Sequence, residues 1–250
     1  MQRRKAVFTY LIVAMGMVVI IIFAFLAKDT VLERWYLWKL KTGDQSEREL
    51  ALNRLVAAPP ARIIPRIIKI AKELDLYPID HTCFQVITKI GPNKASPILL
   101  REMARLCNSP IRIEDEKRMD EYSNAVSFIH RSFCTMGQEV VPILLNELNK
   151  GKDAEIRVVA AVVLFNMRRS NDLGSLRGEI RQNLLRSLKG DGSWLVRRWI
   201  AMMIGEFQPV GAETISALQE TLKDENESVR EMAARTLQKI QAMPASLTDS

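Results

Sequence analysis

Aromatic residues make up only 6% of the 250 residues, and runs rich in Val, Ile, Thr and Tyr are few. A sheet fills its pleated faces with such runs, so their scarcity turns the reading away from β structure. Histidine is nearly absent, with His81 and His130 alone, and neither is read as having a carboxylate or thiol partner at ligand spacing. Three cysteines occur, Cys83, Cys107 and Cys134, without a CxxC. An odd count without ligand spacing is neither a zinc site nor a disulfide framework. The thiols are expected to be buried or idle, with one pair able to bond if the domain faces an oxidising compartment. There is no HExxH, GxSxG elbow, P-loop or Gly-rich dinucleotide turn. GSLRG (Gly174–Gly178) and GDGS (Gly190–Ser193) hold Gly and Ser in neither pattern and read as turns. No catalytic, cofactor or metal residue is assigned, and the chain is expected not to be an enzyme.

What is present is a helical composition: 48% hydrophobic, 26% charged, and only 11 Gly and 10 Pro. The net charge is +7, and Arg3, Arg4 and Lys5 of a short leader supply three of those charges. The balance is mild and gives no argument for nucleic acid. Nucleic acid would also need aromatic stacking platforms along a basic stripe. Among local aromatics only Trp194 and Trp199 are large enough, and Trp199 falls on an apolar face. Nucleic acid is therefore disfavoured as a partner.

Ala6–Ala27 runs 22 residues without a charge. As a helix it reaches about 33 Å, enough for a hydrocarbon core of about 30 Å. It is longer than a signal-peptide apolar core, and a cut after Ala27 would put Phe25 where a small residue is wanted. The expectation is an uncleaved signal-anchor helix. Arg3, Arg4 and Lys5 argue for a cytoplasmic N-terminus and a body on the extracytoplasmic side. Trp35, Tyr36 and Trp38, with Lys39 and Lys41, follow it. They suit either a headgroup-level aromatic belt or a helix packed on the next unit, or both.

Beyond this leader the chain repeats itself. Helix endings recur as VITKIG (Val86–Gly91), SFCTMG (Ser132–Gly137), VLFNMR (Val163–Arg168), AMMIGE (Ala201–Glu206) and TLQKIQ (Thr236–Gln241). Helix starts recur as ARIIPRII, ASPILL and EVVPILL, then EIRQNLL and AETISAL without proline. Gly after the last apolar residue suits a left-handed C-cap, and Pro suits the first turn of the next helix. The second helix of each unit has one apolar face. In Val229–Ile240 it is Val229, Met232, Ala233, Leu237 and Ile240. In Val196–Phe207 it is Val196, Trp199, Ile200, Met203, Ile204 and Phe207. In Ile79–Ile90 it is Ile79, Cys83, Val86, Ile87 and Ile90. Ile156–Met167 is apolar nearly all round, as a helix covered on two sides would be. Polar turns NKGKDAE, KGDGSW and KDENES precede three of these helices.

These motifs resemble HEAT repeats, in the short form first described in phycobilisome lyases: a proline-led first helix, a turn with Asp, then Val-Arg-x-x-Ala-x-x-x-Leu-x-x-Ile-Gly. KDENESVREMAARTLQKI fits best, followed by KGDGSWLVRRWIAMMIG and DAEIRVVAAVVLFNM. The resemblance spans roughly Ser46–Ala242 and is one of packing. It implies an all-α fold, a right-handed α-solenoid of about five HEAT-like helical hairpins, which the apolar run 6–27 would precede as a single transmembrane helix. A hairpin cannot bury its apolar face alone, and stacking several builds one core. The expected organisation is a leader (1–5), the anchor (6–27), a juxtamembrane helix or linker (28–45), the solenoid (46–242) and a flexible tail (243–250).

Candidate contact residues come from charge and from irregular stretches. Asp153 with Arg157, Asp191 with Arg197 and Asp224 with Arg230 read as structural pairs tying each turn to the following helix. Residues 151–200 carry 10 Lys/Arg against 5 Asp/Glu, and residues 201–250 carry 4 against 8, so basic charge gathers in the former. A second basic set, Arg54, Arg62, Arg66, Lys69 and Lys72, reads as a solvated face or a match for anionic headgroups. The longest irregular stretch is Asn108–Tyr122, and a second insert is Arg168–Gly178. Inserts on a solenoid gather on one face. Arg112, Glu114, Asp115, Glu116, Lys117, Arg118, Arg168, Arg169, Arg177 and Arg198 are therefore the expected partner contacts.

The sequence thus reads as a membrane-anchored interaction scaffold or adaptor. Its expected partners are another protein and, through the anchor, membrane lipid, with no small-molecule substrate and no cofactor. The alternatives are an enzyme or enzyme subunit by analogy with phycobilin lyases, and a module binding lipid or another anionic ligand.

Overall fold

The computed structural model describes residues 31–40, 42–73, 79–108, 116–167, 173–207 and 210–242, with the side chains of 72–73, 79–82 and 116–119 excepted. Every regular element among them is helical. A first helical segment, α1, covers 31–40. It is followed by α2 (Gln45–Ala57), α3 (Pro60–Glu73), α4 (Ile79–Ile90), α5 (Pro92–Cys107), α6 (Glu116–Met136), α7 (Val141–Lys150), α8 (Ala154–Met167), α9 (Leu176–Gly190), α10 (Trp194–Ile204), α11 (Ala212–Thr221) and α12 (Glu227–Gln241).

The packing defines two layers. The second helices form one, with α2 on α4, α4 on α6, α6 on α8, α8 on α10 and α10 on α12. The first helices form the other, with α3 on α5, α5 on α7, α7 on α9 and α9 on α11. Each hairpin joins the layers: α3 with α4, α5 with α6, α7 with α8, α9 with α10 and α11 with α12. This is the α-solenoid expected from the repeating junctions, with five hairpins and α2 as an extra second-layer helix in front of them.

Chain chemistry sets the helix ends. Gly91 and Gly137 end their helices at φ 88° and 62°, the left-handed region in which a side chain would be strained. Gly205 ends α10 at φ −66° and needs no such freedom. It is small for another reason: a Cβ there would lie 2.5 Å from Thr236 Cγ2 on α12. The prolines also sit differently from expectation. Helices α3 and α5 begin at Pro60 and Pro92, so Pro65 and Pro97 lie inside them rather than at their starts. Pro142 does occupy the first turn of α7.

The apolar faces meet as the periodicity requires. Val196, Ile200, Met203, Ile204 and Phe207 of the α10 region are buried, as are Val229, Ala233 and Ile240 of α12. Central helix α8 buries eight of its residues and packs on α5, α6, α7 and α10. Phe84 of α4 stacks on Phe128 of α6 with centroids 4.8 Å apart. Such a pair adds about 0.5–1.5 kcal/mol beyond its area.

The residues after the leader are part of this core. Leu37 and Leu40 of α1 are buried in it, and Tyr36 packs against it, while Trp35 and Trp38 remain exposed. So α1 is docked on the solenoid with its other face open. The expected single-pass topology, with a cytoplasmic N-terminus and an extracytoplasmic repeat domain, is corrected. Among the described residues no helix is long and apolar enough to cross a membrane. The longest, α6, has 21 residues, but Asp120, Glu121 and Arg131 interrupt any apolar run. Segment 6–27, on which that topology rested, lies outside the described residues, as does the tail 243–250.

Candidate interaction surface

Four second-layer helices carry Arg at the same place. With Asp44, Asp153, Ser193 and Asn226 at the position before helices α2, α8, α10 and α12, Arg48, Arg157, Arg197 and Arg230 each stand four residues on. Each donates its backbone N–H to the carbonyl of that first residue. The side chains then extend along the stack. Arg157 donates from Nη1 to Gly151 O at 2.8 Å, in its own turn, and from Nε and Nη2 to Asp191 of the next turn at 2.9 and 2.8 Å. Arg197 repeats this, with Nη1 to Asp191 O at 2.7 Å and Nε and Nη2 to Asp224 at 2.7 and 2.9 Å.

The structural pairs expected from sequence therefore stand in a different register. Arg197 and Arg230 do tie to Asp191 and Asp224 of their own turns, but through the backbone carbonyls, at 2.7 and 2.8 Å, while the carboxylates of Asp191 and Asp224 bind the Arg of the preceding repeat. Asp191 and Asp224 also accept from the backbone N–H of Ser193 and Asn226, at 2.8 and 2.9 Å, which fixes their turns. Asp153 makes the corresponding bond to Glu155 N at 2.9 Å and, among the described residues, receives no guanidinium hydrogen bond. The bond from Arg197 is the main cause holding the Asp224 carboxyl below its usual range, and Asp224 in turn raises Arg197. Two-pronged Arg–carboxylate bonds fix direction as well as distance, so the ladder sets one repeat against the next.

The second layer also carries a furrow. A hollow of 530 Å³ is lined by Leu52 and Asn53 of α2, Phe84, Thr88 and Lys89 of α4, and Thr135 of α6, among others. It shares Glu49, Leu52 and Gln85 with a 390 Å³ hollow that reaches Asp44 and Arg48. At its other end it shares Lys89 with a third, of 260 Å³, that reaches Ala57 and Lys94. The three run the length of α2 beside α4. Its rim is polar, and its floor is Leu52 and Phe84, with the Arg131 guanidinium 5.0 Å from the Phe84 ring centre.

Of the expected contact residues, only Arg177 and Arg198 have described side chains. Arg112, Glu114, Asp115, Arg168 and Arg169 lie outside the described residues. Glu116, Lys117 and Arg118 are not in an irregular stretch, because α6 starts at Glu116 and continues through Tyr122. Arg177 is exposed in the first turn of α9, and Arg198 is half-buried on α10. Of the basic set near the N-terminus, Arg62 and Arg66 both pair with Glu33 of α1, Arg66 at 2.6 Å. Glu33 is itself buried, so these two cations hold α1 in place and are not a headgroup site. No sequence signal marked Glu33, since its partners are about thirty residues away.

His130 does have a thiol neighbour: Cys134 Sγ lies 3.8 Å from its Nε2, one helical turn on. Burial lowers the imidazole and raises the thiol. Both are thereby kept neutral, the opposite of a reactive thiolate–imidazolium pair. All three cysteines are free thiols. Among the described residues no three His, Cys, Asp or Glu side chains gather as a metal site would require.

A family model of HEAT repeats matches residues 181–249, the part of the chain that holds α9 to α12. The curated proteins contain no match. Among solved structures, the chain is similar to an engineered protein, a Northeast Structural Genomics Consortium target. The two are 18% identical, the match covers 84% of this chain and 96% of that one, and the TM-score is 0.37. It is also similar to a designed armadillo repeat protein, at 15% identity over 82% of this chain and 98% of that one, with a TM-score of 0.35. Scores at this level add nothing on their own. The HEAT-like helical repeat stands on the two-layer stacking and on the match over 181–249.

Proposed function

We propose that this chain is a non-catalytic scaffold that holds a partner protein against the open side of its second-helix layer. The observation that carries the reading is the furrow along α2, α4 and α6, whose rim presents side chains from three successive second-layer helices. A surface drawn from several repeats suits an extended contact with another protein, as the concave faces of stacked repeats commonly do. Arg198 of α10 remains in the proposal as a second-layer cation that a partner extending along the stack would meet, and Arg177 of α9 as a cation of the same hairpin.

The test is the size of the native assembly. The full chain, expressed in its own cells, is resolved on a native gel beside Thr88→Arg/Thr135→Arg, which fills the furrow, and Asn146→Arg/Ser216→Arg, which adds two arginines to exposed positions of the first-helix layer. The expected result is a larger complex that the furrow variant loses and the other keeps. A complex indifferent to the furrow variant, or no complex at all, contradicts the proposal.

A further inference from the structure

Arg48 holds the ladder position of its helix, and among the described residues no carboxylate takes its Nε. At Arg157 and Arg197, Nε and Nη2 are both taken by a carboxylate of the following repeat. At Arg48 the Nε atom is buried and has no hydrogen-bond acceptor. A buried donor left without an acceptor is unfavourable, and a charged one more so. Its side chain lines the 390 Å³ hollow at the end of the furrow between α2 and α4.

The surrounding charges favour an anionic occupant. Lys89 and Lys94 line the furrow farther along, and neither has an ion pair among the described residues. Two acids also face it. Asp44 is engaged in capping α2, its Oδ1 accepting from Glu47 N at 2.9 Å. Glu49 is exposed at the rim and makes no bond to Arg48. Among the described residues that line the furrow, three cations thus stand against one committed acid and one open acid. Helix α2 has 13 residues, about 20 Å, which is the length of about six residues of extended chain.

Resting on the scaffold reading, we propose that the furrow takes an acidic linear segment of the partner. One Asp or Glu of that segment docks on Arg48 as Asp191 docks on Arg157 and Asp224 on Arg197. Lys89 and Lys94 meet further acids along the segment, and its apolar side chains lie on Leu52 and Phe84. The solenoid would thereby read a carboxylate with the same fork that it uses to join its own repeats.

The experiment is selection from a degenerate octapeptide library by the purified full chain, compared with Arg48→Gln and with Arg101→Gln. Arg101 is an exposed residue of the first-helix layer, so its replacement removes an equal charge elsewhere. Expected is enrichment of Asp or Glu at one fixed position. A selected peptide should then bind Arg48→Gln about tenfold more weakly, the effect of losing a charged hydrogen-bond pair, and bind Arg101→Gln unchanged. No acidic enrichment, or enrichment that survives Arg48→Gln, overturns the proposal. Equal loss in both variants also overturns it, because that is attraction to net charge alone. Circular dichroism of both variants checks that the fold is kept. The native-gel assay separates the two claims: a complex that is lost with Thr88→Arg/Thr135→Arg but kept with Arg48→Gln retains the scaffold and removes the carboxylate dock.

Discussion

Arg197 of α10 and Asp224 of the turn before α12 join two repeats through paired bonds of 2.7 and 2.9 Å, with only 8% and 10% of their side chains exposed. Pairs this buried give little net stability when intact, since desolvation offsets attraction. Removing one partner is another matter, because it leaves a buried charge alone. Their role is better described as setting register between repeats.

Arg197→Ala should therefore destabilise the chain by about 3 kcal/mol, measured by urea unfolding. The pH dependence has a definite sign. The Asp224 carboxyl is held below its ordinary range, first by the Arg197 hydrogen bond, so the unfolded chain binds this proton more readily than the folded one. Its contribution is complete above the ordinary carboxylate pKa of about 3.9 and is lost as pH falls through the lower folded value. Asp224→Asn should lower Tm at neutral pH and flatten the acid limb of the Tm–pH curve. An acid limb as steep as that of the unaltered protein would count against this assignment.

Gly205→Ala is expected to loosen the contact of α10 with α12. The new Cβ would meet Thr236 Cγ2 at 2.5 Å, and overpacking of this kind costs about 1–3 kcal/mol. Thr236→Ser removes that methyl but keeps the hydroxyl that donates to Ala201 O at 2.8 Å. The double variant should recover most of the loss, and thermal unfolding of the four proteins in the cycle measures it.

Glu33→Ala should release α1. The buried carboxylate is bound by both Arg62 and Arg66, so its loss leaves two cations beside an apolar contact. Hydrogen exchange is expected to rise across 31–40 while α8 to α12 keep their protection. Uniform loss of protection would mean that α1 is not a separately docked element.

The thiols should react in the order of their burial. Cys107 is exposed, Cys134 is half-buried with its thiol raised by burial, and Cys83 is buried. One fast-reacting thiol per chain, identified as Cys107 by peptide mapping after brief maleimide treatment, is the expected result.

Much of the architecture was legible because packing leaves a local signature. The apolar faces of α10 and α12 follow from period alone, and the turns after Ile90 and Met136 follow from Gly91 and Gly137. Relations between repeats were less legible. Asp191 meets Arg197, six residues on, only through its backbone carbonyl, and its carboxylate binds Arg157, thirty-four residues back, because a solenoid brings equivalent positions of neighbours together. Spacing within one repeat cannot distinguish the two pairings. Glu33 was passed over for the same reason. Charge also hid a helix start: Glu116–Arg118 read as a loop because they are polar, yet they begin α6, whose apolar residues come later. The furrow had no signature, since Asn53, Thr88 and Thr135 become neighbours only when three repeats stack.

The most direct test of the account is a photo-cross-linking scan in native cells, with benzoylphenylalanine placed at Asn53, Thr88 and Thr135 and, on the first-helix layer, at Arg101, Asn146 and Ser216. All six positions are exposed. The account predicts that the three furrow positions capture one common partner protein, identified by mass spectrometry, and that the other three do not. Capture of that partner from the first-helix layer, with none from the furrow, would contradict it.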